Sequence, residues 1–249
     1  MPATHDKQLE ELLAHPSVWR GRSRAAAPTL STGFAALDAG LPGGGWPRHG
    51  LIEVLTPQPG VGELYLLLPA LVALSRLTPA RWCTWVSPPQ EPFAPALRSH
   101  GVALDRMLIV RSSLAAPRQK EFNRRPFGKK DRGGVQDSWA LDSWALDSWA
   151  LDSWAMEQVL RSGACGLALA WLPRTSSRAI RRLQLAAEQG RALGVLYRSQ
   201  RFASEASPAM LRLQLEPVVH EGRQGARVSL LKSRGGSREP IHLEWANAA

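Results

Sequence analysis

The segment Thr56-Pro57-Gln58-Pro59-Gly60-Val61-Gly62-Glu63-Leu64 follows the apolar run Gly50–Leu55 and precedes a helical stretch. A loop of this type is suited to phosphate: glycines bring backbone N–H groups close to the anion, and Lys and Ser/Thr open the next helix. Against the pattern G-x-P-G-x-G-K-[ST], Pro59, Gly60 and Gly62 match. Pro57 replaces the first glycine, Glu63 the lysine, and Leu64 the magnesium-binding hydroxyl. With an effective dielectric of ~20 and a separation of ~4 Å, exchanging attraction for repulsion changes the interaction by several kcal/mol per unit of phosphate charge. The expectation is a strand-to-helix turn kept for its geometry, with Glu63 as an acid favoured by the helix dipole. No catalytic residue, cofactor or metal is assigned.

A second set of residues suits anionic partners. The segment from Arg111 to Arg132 includes Arg124, Arg125, Lys129 and Lys130, with only Glu121 and Asp131 against eight basic residues, and carries Phe122 and Phe127. That mixture fits phosphate contacts with occasional base stacking. Arg178, Arg181 and Arg182, near Arg174, fall at spacings that share one side of a helix. Both groups are candidate contacts for DNA or an acidic protein, with a solvated surface as the alternative.

These residues must be positioned by a regular scaffold. Apolar strand-like runs at Gly50–Leu55, Arg81–Val86, Met107–Val110, Gly166–Trp171 and Ala192–Tyr197 alternate with helical stretches ending at Arg76, His100, Ser162 and Gln189. Alternation of this kind predicts an α/β fold: a mostly parallel sheet flanked by helices. Met210–Leu215, Ala226–Lys232 and Ile241–Trp245 predict antiparallel strands added at the sheet edge.

The sequence divides into an N-terminal helix and basic arm (1–28), a first part of the core (29–111), an insertion (112–156) and the rest of the core (157–249). The insertion contains Asp-Ser-Trp-Ala-Leu, iterated from Asp137. A five-residue period advances each Trp by about 140° around a helix and alternates faces on a strand, so no single stripe collects them. The reading is a tandem expansion that lengthens a helix or loop.

The composition agrees with a packed domain. The 249 residues are 44% hydrophobic, and 31 Lys+Arg against 21 Asp+Glu give a net charge of +10, which favours an acidic partner. Cys83 and Cys165 lie in separate apolar runs with no CxxC pair, so neither a disulfide framework nor a zinc site is expected. The run Leu64–Leu74, broken by Pro69, is too short to span a bilayer, and the N-terminus lacks a signal pattern, so a cytosolic protein without membrane contact is expected.

Leu30-Ser31-Thr32-Gly33 through Leu37-Asp38, with Gly43-Gly44-Gly45 and Glu53 on the following strand, resembles the RecA/RadA recombinase family. The resemblance implies a RecA-like core of P-loop type, a catalytic glutamate where Pro89 stands, and an acidic strand end where Trp171 stands. With Glu63 and Leu64, those departures imply a degenerate ATPase. Val18-Trp19-Arg20-Gly21-Arg22, Arg161-Ser162-Gly163-Ala164-Cys165-Gly166 and Arg174 to Arg201 are most similar to the ImuA group of that family.

That resemblance implies a non-catalytic adaptor in damage-induced translesion DNA synthesis. It would link an ImuB-type polymerase-like protein and an error-prone DNA polymerase complex to RecA or DNA. The alternatives are a cell-division inhibitor of the SulA type, also a reduced RecA-like domain within the SOS response, and an atypical RecA-like ATPase. Chain length and the Ser-Thr-Gly…Leu-Asp approach weigh against the SulA type.

Overall fold

A computed structural model describes residues 28–77, 79–111, 138–220, 222–233, 235 and 239–245, without the side chains of 138–148 and 220. The N-terminal arm and the basic segment 112–137, with Arg124, Arg125, Lys129 and Lys130, lie outside the described residues.

The most apolar runs form the centre of an eight-stranded sheet. Strands β3 (Gly50–Thr56), β6 (Cys165–Trp171) and β7 (Leu193–Ser199) are buried along their whole length. Continuous apolar sequence is what a strand covered on both faces requires. β4 (Trp82–Val86) and β5 (Met107–Val110) continue the parallel set, with β5 at the edge. On the other side β8 (Leu211–His220) joins β3 in parallel, where the sequence reading expected an antiparallel strand at Met210–Leu215, and β9 (Arg223–Lys232) and β10 (Ile241–Glu244) then add antiparallel as expected. A separate two-stranded ribbon joins β1 (Thr29–Leu30) to β2 (Trp46–Pro47).

Helices cover both faces. α1 (Ala35–Gly40), α2 (Glu63–Ser75) and α3 (Ala94–Ser99) lie over the side that includes Ile52, Val54, Trp85 and Tyr197. α4 (Ser138–Arg161) and α5 (Ser177–Gln189) cover the side with Leu51, Ala168, Ala170 and Leu196. Ser176 caps α5 by accepting the Ala179 N–H at 3.2 Å. Among the described residues no helix is long and apolar enough to cross a membrane.

From Ser138 the repeat is helical and runs without a break across the expected boundary between insertion and core at 156/157 to Arg161. Its last units pack: Trp149, Asp152, Met156 and Leu160 are buried, whereas Leu151 and Trp154 are exposed. The spacing 149, 152, 156, 160 is a helical stripe. Two positions of the repeat complete a face set by Met156 and Leu160, although the repeat's own period gives no coherent stripe.

Two knots of polar residues fix the chain around β3. Glu53, fully buried, receives the Arg198 guanidinium and, at 2.7 Å, the Arg212 Nε–H. Removing one partner of such a buried ion set costs about 3–5 kcal/mol, because a desolvated charge remains. The Asp38 carboxylate accepts the Ser31 hydroxyl at 2.6 Å and the Thr32 N–H at 2.8 Å. The conspicuous Ser-Thr-Gly…Leu-Asp signature therefore ties the entry ribbon to α1. Gly33 (φ +82°) in this turn passes so near the Pro69 ring that a Cβ would meet its Cγ at 2.6 Å.

Candidate functional site

The glycine loop sits between β3 and α2 as the sequence predicts, but its N–H groups point at the protein's own carboxylate. Gly60 N–H donates to both Glu63 oxygens, at 2.8 and 3.0 Å, and Val61 N–H donates to one of them at 2.9 Å. Gly60 and Gly62 are left-handed (φ +83° and +98°), which turns successive amides toward one point. Glu63 is 3% exposed. Beyond being an acid near a helix dipole, it fills the anion position of the loop.

The rest of the surroundings is aromatic. A Cβ on Gly62 would meet Trp245 Nε1 at 2.8 Å, so the indole after β10 lies directly on the loop. Trp245 stacks on Tyr65 (centroids 5.8 Å) and meets Phe34 edge-on at 5.7 Å. Behind the loop, Tyr197 donates its hydroxyl to the Glu63 carbonyl at 3.3 Å and stacks on Trp171 at 4.8 Å. Burial, and then the Glu63 charge, push the Tyr197 phenol well above its ordinary pKa, so it stays a neutral donor.

Beside the loop opens a cavity of about 310 Å³, with Leu64, Trp85, Pro89, Phe93, Leu97 and Trp171 among its walls. Phe93, at its lip, is 70% exposed. The two positions where the RecA resemblance implies carboxylates, Pro89 and Trp171, thus supply apolar wall. A magnesium–nucleotide does not fit these residues: the cradle is filled, Leu64 has no hydroxyl, and the cavity offers apolar surface where charge would need compensation. The arrangement can take up an apolar group.

The arginines of α5 form a separate feature. Arg178, Arg181 and Arg182 are all exposed. Arg182 is ion-paired to the buried Glu157 of α4, which Arg161 also holds, at 2.6 Å. Arg178 and Arg181 project into solvent. Sequence reasoning missed Arg198 and Arg212; the signal was Glu53 itself, since a carboxylate within a strand buried on both faces requires a cation.

No family model matches the chain. Among curated proteins, it is similar to the cell division inhibitor SulA of Photorhabdus laumondii, with 30% identity over 136 residues. The match covers 55% of this chain and 58% of that protein, a little over half the relative's length. Among solved structures, SulA from Pseudomonas aeruginosa shares 24% sequence identity over 59% of this chain and 97% of that one, at a TM-score of 0.37. A superposition at that score does not establish a shared fold.

The sequence likeness to SulA corrects the reading of the chain as an ImuA-type adaptor in translesion synthesis. The physical reason lies in the motif that carried that reading. Ser31, Thr32 and Asp38 are consumed in holding the entry ribbon, so they report on how the chain enters β3 and carry no information about translesion synthesis. The presence of that motif therefore does not count against the SulA type. The ImuB, RecA and polymerase partners rest on the ImuA resemblance alone.

Proposed function

We propose that this chain is a SulA-type inhibitor of cell division, made in response to DNA damage and acting in the cytosol by binding a protein rather than by catalysis. The observation that carries the reading is the 30% identity with the cell division inhibitor SulA over 136 residues. The site supports it in two ways. Glu63 occupies the position where a phosphate would be bound, which argues against nucleotide turnover. The apolar cavity with Phe93 exposed at its lip has the character of a surface that receives a protein side chain. On this reading the core is a reduced RecA-like fold that keeps the strand–loop–helix order of a P-loop without its chemistry.

The test is controlled expression in a rod-shaped bacterium, with cell length and chromosome replication followed together. Filaments with continuing replication, and recovery of the division-ring protein on the tagged chain, are expected. Cells of ordinary length at confirmed expression would overturn the reading.

A further inference from the structure

On the face of the sheet opposite the glycine loop, several arginines gather beyond the C-terminal ends of β6 and β7. Open parallel sheets receive their ligands at these strand ends. Arg198 ends up 2% exposed on β7, Arg201 lies in the short 3₁₀ turn Gln200–Phe202, and Arg174 follows β6. Arg198 and Arg201 share one ring: their guanidinium carbons lie 4.3 and 5.0 Å from the centre of Phe202. Arg174 lies 5.0 Å from the centre of the Trp149 ring.

The local acceptors are already engaged. Glu53 is shared by Arg198 and Arg212. The carbonyls of Phe202, Ala203 and Glu205 receive Arg212, at 2.9, 3.4 and 2.5 Å, and the Thr175 carbonyl receives Arg198 at 3.1 Å. The Glu205 carboxylate, more than half exposed, reaches Arg198 at 3.6 Å. Arg201 is left with two buried nitrogens, Nε and one terminal nitrogen, that have no hydrogen-bond partner, and Arg198 Nε is unpartnered as well. Burial first, and then the like charges of Arg174 and Arg198, lower the Arg201 pKa from its ordinary value. A partly buried cation whose buried donors are unused, beside two other cations, is costly unless an anion completes it.

We propose that Arg201, with Arg198 and Arg174, forms a receptor for a single phosphoryl oxyanion at the C-terminal ends of β6 and β7. A phosphoryl group offers up to two charges and several acceptor oxygens in a tetrahedral arrangement, which suits guanidinium forks arriving from different loops. A lone carboxylate is planar and satisfies one fork. The site is separate from the glycine loop and does not depend on the proposed inhibition of division, so a filamentation assay and a phosphate titration fail independently.

The test follows arginine Nε–H resonances of the full chain during titration with inorganic phosphate, adenosine monophosphate or acetate at constant ionic strength. A saturable shift of the Arg201 signal is expected with phosphate or with the monophosphate ester, and the tighter of the two identifies the source as free phosphate or the phosphate of a larger molecule. Arg201→Gln should weaken binding at least about tenfold, and Arg201→Lys, which keeps charge without the fork, should fall between. The exposed control Arg178→Gln should leave it unchanged. A linear response, equal saturation by acetate, or equal binding by Arg201→Lys and the parent chain would overturn the proposal.

Discussion

Glu63 stands three residues after Gly60 and accepts its N–H through both carboxylate oxygens, at 2.8 and 3.0 Å. The loop is therefore an anion receptor closed on itself. Calorimetry with magnesium and ATP should give no saturable heat. Glu63→Ala should cost roughly 1–3 kcal/mol, because the Gly60 and Val61 amides lose a charged acceptor. Micromolar ATP binding by the parent chain would contradict this account.

The two left-handed glycines of the loop should respond differently to a methyl group. A Cβ at Gly60 meets nothing within 4 Å, whereas at Gly62 it meets the Trp245 indole at 2.8 Å. Both substitutions carry the left-handed penalty of about 1–2 kcal/mol. Gly62→Ala should be the more destabilising in thermal or denaturant unfolding, and Trp245→Leu should narrow the gap. Equal losses would remove Trp245 from the loop.

Shortening the repeat should show a threshold. Identical units make any single deletion equivalent to trimming the far end, so reading back from Met156 the chain still presents Asp152 and Trp149 after one or two units are lost. Removing three puts Gly134 in register with the Trp149 position, leaving a hole where a 7%-exposed indole packs. Loss of a large buried aromatic costs about 3–5 kcal/mol. Thermal midpoints should hold for the first two deletions and fall sharply at the third; a steady decline with each unit would refute the register argument.

Acid should loosen the entry ribbon. Burial opposes the charge on Asp38, but hydrogen bonds from Ser31 and Thr32 outweigh it and hold the pKa below the usual carboxylate value. A lowered pKa in the folded state means that this stabilisation is complete above the ordinary aspartate range and is lost as pH falls through the folded pKa. Stability measured downward from pH 5 should therefore drop in the parent chain and drop less in Asp38→Asn. Parallel curves would show that Asp38 is not responsible.

If the chain binds DNA, α5 contributes through Arg178 and Arg181, since Arg182 is committed to Glu157. Replacing the first two with Ala should reduce the slope of log affinity against log salt by up to about two units, with no change in sequence preference. An unchanged slope in filter-binding or fluorescence titrations would take α5 off any DNA surface.

The scaffold was legible because its strands announce themselves: Cys165–Trp171 is apolar throughout and Gly50–Thr56 is apolar but for Glu53 and the terminal Thr56, and only strands covered on both faces need that. The strand–loop–helix turn was legible from Gly60 and Gly62, although their spacing alone could not show that the Glu63 side chain folds back into the cradle. The packing of α4 was hidden because a period of five matches neither helix nor strand, and the stripe becomes visible only when counted back from Leu160 and Met156. The gathering of Arg174 with Arg198 and Arg201 gave no local signal, since what brings the first to the other two is the crossover between β6 and β7. The Ser-Thr-Gly…Leu-Asp motif was misleading as a sign of function, because Asp38 serves the fold.

The position of Glu53 also sets a clock for synthesis. Its second arginine, Arg212, lies 159 residues further along the chain. At translation speeds of ~5–20 residues per second, roughly 10–30 seconds separate the appearance of that carboxylate from the appearance of its full set of counter-charges. For most of that interval the central strand exists without either neighbour, β7 or β8, so nascent chains paused before β7 are the species most exposed to wrong strand pairing and to capture by chaperones.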